Sequence, residues 1–160
     1  MISKRAIIRQ ITDQLGRELE TLAGASRAMH ADASDEQNKA EDKYDTRGLE
    51  TAYLASSQAR QATETEQALA AYQALALGKF TATTPIALTA LVELDSKGTR
   101  TLYFLGPKGG GIEVHLAGQE ILVITPESPL GQQLMGKKVG DRIKLQTRGP
   151  ADSFRVVSVR

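Results

Sequence analysis

Asp32–Glu50, DASDEQNKAEDKYDTRGLE, gathers seven carboxylates (Asp32, Asp35, Glu36, Glu41, Asp42, Asp45, Glu50) and three bases (Lys39, Lys43, Arg47). Oxygen ligands at this density suit a hard cation such as Mg²⁺, and carboxylates beside such an ion can position water for phosphoryl chemistry. Tyr44 lies inside the cluster, where a ring calls for a partner or a stacking surface. The plainer account is an acidic, solvated connection, because acids favour the first turn of a following helix. Spacing alone leaves both open.

Three other features could bear chemistry. Gly106-Pro-Lys-Gly-Gly-Gly111 invites a phosphate-loop reading. It lacks the P-loop spacing and the Ser/Thr that would open a helix, so a glycine-rich hairpin turn is expected. His30 and His115 stand apart from other ligand types and read as a surface and a strand-face histidine. Arg5, Arg9, Arg17, Arg27, Arg47 and Arg60 dot the first half. They suit a solvated helix face, or a line of cations following an RNA backbone.

The elements that must carry these residues divide the chain in two. All five prolines and ten of the fourteen glycines follow residue 84, whereas 17 alanines precede it and four follow. Helix formers dominate the first half and turn formers the second. Ile8, Ile11, Leu15, Leu19, Leu22 and Met29, with Ala25 filling one turn, form an apolar stripe behind the N-cap candidate Ser3. A second arm from Thr46 to Leu77 offers Leu49, Ala52, Ala59, Ala62, Leu69, Tyr72 and Ala76, with Gly78 as C-cap. The pattern predicts an antiparallel helical hairpin of coiled-coil character over 1–77, with its acidic tip at about 32–50. Arms of this length extend roughly 40 Å at the helical rise. A compact bundle with a polar loop would use the same pattern.

After a linker at 78–84, short strands are expected at 86–94, 100–105, 112–116, 120–125, 142–147 and 154–159. Pro129 should open one short helix and Gly136 close it. The expected class is α+β, a helical hairpin followed by an antiparallel sheet domain over 85–160.

Composition narrows the function. With 20 basic and 19 acidic residues the chain has no global charge for coating nucleic acid, although local patches can differ. Absence of cysteine removes disulfides, thiolate catalysis and zinc-ribbon sites. No apolar run suggests a signal peptide or a spanning helix, so a cytoplasmic chain without membrane contact is expected.

The most specific string is Thr125-Pro-Glu-Ser-Pro-Leu-Gly-Gln-Gln-Leu-Met-Gly-Lys-Lys-Val-Gly-Asp141. Ser128, Pro129, Leu130, Gly131, Leu134, Gly136, Lys137, Gly140 and Asp141 occupy positions that resemble the C-terminal signature of the bacterial Gre (GreA/GreB) transcript-cleavage factors. The resemblance runs through the order of parts along nearly the whole chain. It implies an FKBP-like C-terminal domain that binds RNA polymerase through Ser128, Pro129, Leu130 and Gly131. It also implies a hairpin tip in the polymerase secondary channel, reaching the nascent RNA 3′ end indirectly. The tip candidates are Asp35, Glu36, Glu41, Asp42, Tyr44 and Asp45, with Glu41 and Asp42 sharing a Mg²⁺ that the polymerase holds. The implied function is assistance to Mg²⁺-dependent cleavage of backtracked RNA by a monomeric accessory factor, with no active site or cofactor of its own.

The tip departs from the family pattern, Asp-x-x-Glu-Asn-x-Glu-Tyr. Counting back from Tyr44 places Gln37 and Ala40 at the paired carboxylates, and a one-residue deletion places Asn38 and Glu41 there. Neither restores the pair. The departure fits a Gre-like modulator or inhibitor that occupies the channel without cutting. Two rivals come from other classes. An FKBP-like prolyl isomerase would need an aromatic-lined pocket, and only Tyr103, Phe104 and Phe154 follow residue 84. The other is a helical-hairpin adaptor for a different complex.

Overall fold

The computed structural model describes residues 1–34, 46–146 and 148–160. Two long helices come first in the chain, α1 (Lys4–Ser34) and α2 (Thr46–Gln73). Six strands follow: β1 (Leu91–Ser96), β2 (Thr99–Leu105), β3 (Glu113–Leu116), β4 (Gln119–Ile124), β5 (Arg142–Leu145) and β6 (Asp152–Val159). The short helix α3 (Pro129–Leu134) lies between β4 and β5. The α+β class expected from composition is the class observed.

The chain forms two compact units, Met1–Thr12 with Ala71–Arg160, and Asp13–Ala70. The sequence reading grouped residues 1–77; the contacts place the first twelve with the sheet. Ile7 and Ile11 are fully buried, one helical turn apart. Lys4 Nζ donates to the Gly78 carbonyl at 2.6 Å and sits 4.7 Å from the Phe80 ring centroid. Burial there lowers its pKa. The Gln10 amide makes a two-way bond with the backbone of His115, accepting from its N–H at 3.2 Å and donating to its carbonyl at 2.9 Å. Since β3 is an edge strand, Gln10 occupies backbone groups that the sheet leaves open.

The sheet order is β3-β4-β2-β1-β6-β5. Every pairing is antiparallel except β2 with β4, which is parallel. The expected hairpin turn at 106–111 is therefore a crossover, because β2 and β3 are not neighbours. Alternation gives the sheet two apolar faces. On one, Val92, Leu94, Leu105, Ile124, Ile143, Val156 and Val159 pack with Leu134 of α3. Leu91, Leu102, Phe104, Val114, Ile121 and Val123 are buried on the other.

The strand expected at 86–94 begins only at Leu91. Thr89, 1 % exposed, adopts φ +73°, a left-handed conformation rare for a β-branched residue. The turn is held on both sides: Thr89 N–H donates to Leu105 O at 2.8 Å, and its Oγ1 accepts from Gly78 N–H at 2.8 Å. Gly78 thus closes a loop rather than capping α2, which ends at Gln73.

In the second unit, Glu18 of α1 accepts from Gln61 Nε2 at 3.4 Å and Thr65 Oγ1 at 3.5 Å of α2. The inward residues of α2 include Gln58, Ala62, Thr65 and Leu69, at steps of four, three and four. Leu49, Ala52 and Ala59, expected on that face, are exposed. In an alanine-rich helix, alanine spacing marks no particular side. On α1, Ile7 is buried in place of the expected Ile8, which is only half-buried.

Candidate functional site: the α3 signature

The segment Ser128–Asp141 forms a ladder of local bonds. Ser128 is the N-cap of α3. Its Oγ accepts the Gly131 N–H at 3.1 Å and donates to the Thr125 carbonyl at 2.7 Å. Pro129 follows at the first helical position, where a missing N–H costs nothing. Gly131 is buried because the chain folds tightly over it: a Cβ there would run into the Thr125 carbonyl oxygen and lie 2.9 Å from Ser128 Oγ. Leu134 is fully buried and Leu130 packs beside it.

Gly136 (φ +81°) and Gly140 (φ +93°) adopt left-handed backbone that other residues avoid. Gly136 N–H donates to Ile86 O at 2.8 Å, and Ile86 N–H returns a bond to Lys137 O at 2.7 Å. Asp141 Oδ2 accepts from Lys138 N–H at 2.8 Å, closing the turn into β5. Local geometry thus accounts for the signature residue types other than Lys137, which bonds here through its backbone.

That geometry divides the four expected partner-binding residues. Ser128 and Gly131 face inward, with hydroxyl and amide engaged within the chain. Pro129 is exposed and Leu130 half-buried. Two side chains overlooked in the sequence join this outer surface, Gln133 and Met135, the latter 40 % exposed. The sequence carries no signal for them, because the exposure of Met135 shows only once Leu134 is placed in the core. The outer side of α3 offers polarizable and apolar contact without a charged group on the helix itself.

The tip candidates Asp35, Glu36, Glu41, Asp42, Tyr44 and Asp45 lie outside the described residues, and with them the expected shared Mg²⁺ at Glu41 and Asp42. Among the described residues no three His, Asp or Glu groups converge as a metal site. The Gly106–Gly111 segment is not a phosphate cradle. Gly106 and Gly111 donate their N–H groups to Ile124 O and Val123 O, both at 2.9 Å. Tyr72 Oη donates to Lys108 O at 2.6 Å, and a Cβ on Gly106 would collide with that hydroxyl. His115 Nε2 lies 3.9 Å from Glu120 Oε2, both side chains exposed. Phe104 is fully buried, while Tyr103 and Phe154 pack against the core, so the aromatics an isomerase pocket would need serve the interior.

The sheet domain carries an N-capped Ser-Pro helix and is preceded in the chain by two long helices. Over residues 86–160 the chain matches the family model described as "Transcription elongation factor, GreA/GreB, C-term". It is 35 % identical over 71 residues to the transcription elongation factor GreA of Syntrophus aciditrophicus (strain SB). That match spans 44 % of this chain and only 40 % of the relative.

Among solved structures, the transcription factor Gfh1 is 26 % identical, covering 95 % of this chain and 92 % of its own, with a TM-score of 0.40. GreA/GreB from Nitrosomonas europaea is 20 % identical, covering 73 % and 94 %, with a TM-score of 0.38. At these TM-scores the two likenesses carry no weight. No described helix is long and apolar enough to cross a membrane.

Proposed function

We propose that this protein is a monomeric, cytoplasmic regulator of transcript elongation that binds bacterial RNA polymerase and has no active site of its own. The match of residues 86–160 to the GreA/GreB C-terminal domain carries the reading. The docking surface is the outer side of α3, with Pro129, Leu130 and Met135 in contact while Ser128 and Gly131 hold the helix in shape. The hairpin tip enters the secondary channel. Helices of 31 and 28 residues support that reach, since each extends roughly 40–45 Å. There the tip carboxylates assist Mg²⁺-dependent cleavage of backtracked RNA; Mg²⁺ would supply charge neutralisation and an activated water.

A second reading is favoured by one observation. Gln37 and Ala40, or Asn38 and Glu41, stand where the family pattern has its carboxylate pair. Without that pair the tip occupies the channel and modulates synthesis without cutting. Stalled, backtracked elongation complexes decide between them. Shortened RNA that disappears with Glu41→Ala/Asp42→Ala supports cleavage. Unshortened RNA with altered synthesis supports occupancy. No co-purification with polymerase at moderate salt, and no effect on either readout, sinks both.

A further inference from the structure

With no cysteine, the sulfur of this chain is confined to three thioethers, Met1, Met29 and Met135. Oxidative chemistry on sulfur therefore falls on methionine, whose thioether takes up one oxygen to become a polar sulfoxide. Met135 stands where that change would be felt. It is 40 % exposed and directly follows α3, in which Leu134 is fully buried while Pro129, Gln132 and Gln133 are exposed.

The fold does not ask for methionine at this position. Leu134 on one side fills the core, and Gly136 on the other takes a left-handed φ of +81°. Met135 between them is the C-cap of α3, with φ −54° and ψ +126°, a negative φ that any L residue adopts. Its N–H donates to Gly131 O at 3.0 Å, a bond made by backbone alone. A leucine would supply similar apolar contact. What methionine adds is a polarizable sulfur within reach of solvent.

We propose that Met135 is an oxidative modification site whose sulfoxide loosens the docking of α3 on RNA polymerase. The inference rests on the reading of α3 as the polymerase-docking surface. The oxidant is hydrogen peroxide. The sulfur lone pair attacks one peroxide oxygen, an S–O bond forms as the O–O bond breaks, and the other oxygen leaves as water with both protons. The sulfur is oxidised and the peroxide reduced. A methionine sulfoxide reductase drawing on a dithiol reverses the change, releasing the oxygen as water while the dithiol closes to a disulfide. At an interface the sulfoxide oxygen must give up its water, which costs affinity unless the partner offers a donor. The fold is insulated from the change, because buried Leu134 and the bonds of Ser128, Gly131 and Gly136 hold α3 without the Met135 side chain.

The affinity of the full chain for bacterial RNA polymerase, measured before and after hydrogen peroxide, tests this, with peptide mass spectrometry locating the added oxygen. Oxidation at Met135 should weaken binding by about 10-fold, chiefly through faster dissociation, and leave thermal unfolding where it was. The reductase with its dithiol should restore the affinity. Met135→Gln, with a permanently polar side chain of similar length, should bind as the oxidised parent does. Met135→Leu, whatever its own affinity, should bind equally before and after peroxide. Three results overturn the proposal: Met135 unmodified while Met1 or Met29 gains oxygen, full oxidation at Met135 with unchanged affinity, or a Met135→Leu chain that keeps the parental response. In each of these the untreated chain still binds polymerase, so the docking reading survives. An untreated chain that does not bind polymerase removes the docking reading, and this inference with it.

Discussion

Ser128 shows how one residue can make a motif specific through bonds within its own chain. Its hydroxyl donates to Thr125 O and accepts from Gly131 N–H, tying the end of the β4 segment to the first turn of α3. Ser128→Ala should therefore lower stability by about 1 kcal/mol, the usual cost of a lost N-cap. Gly131→Ala should cost more, about 1–3 kcal/mol or above, because its Cβ meets a backbone carbonyl that cannot step aside. Thermal unfolding ranks the two; equal effects would contradict the close packing at Gly131. Tyr72 makes a pH prediction. Burial raises its pKa, because the phenolate is disfavoured away from water, and burial raises that of Tyr103 as well. The unfolded chain ionises near the ordinary tyrosine value of about 10, while the folded chain keeps its protons. Stability is thus unaffected below that value and falls as pH rises above it. Tyr72→Phe should flatten this alkaline decline while losing the bond to Lys108 O, as read by urea unfolding at a series of pH values.

At the scale of elements, helix α2 separates what pattern can predict from what it cannot. Its existence and near-complete extent followed from a proline-free run rich in helix formers. Its inward face did not, because alanine occurs all round the helix and polar Gln58 and Thr65 occupy inward positions. Gln58 Oε1 is buried with no hydrogen-bond partner among the described residues. Gln58→Met keeps the length and removes the unsatisfied oxygen, so the helical unit should gain about 1–2 kcal/mol. Thermal melting followed by helical circular dichroism measures it; a loss of stability would mean that the amide has a partner. The strands were legible for the opposite reason, since β-branched and aliphatic runs are bounded by Gly and Pro. The parallel β2–β4 pairing was not, because nothing local to 106–112 distinguishes a crossover from a hairpin. Nor was the left-handed Thr89, which only long-range bonds to Leu105 and Gly78 hold in place.

For the molecule as a whole, the composition shift at residue 84 suggested a clean cut that the contacts do not respect. Met1–Thr12 belongs with Ala71–Arg160, so the sheet unit is assembled from both ends of the described chain. Ile7, Ile11 and Tyr72 are each at most 1 % exposed, and all three lie outside the 85–160 segment that sequence alone delimits. Burying one isoleucine contributes about 1.5–3 kcal/mol, so omitting two removes roughly 3–6 kcal/mol. Domain stabilities are only about 5–15 kcal/mol, so such a loss leaves little margin. A fragment of residues 85–160 should therefore melt well below the sheet transition of the full chain and bind a hydrophobic dye before it unfolds. Ile7→Ala/Ile11→Ala in the full chain should lower that same transition without shortening any strand. A fragment that melts with the full-chain sheet would show that the first twelve residues rest on the domain without supporting it.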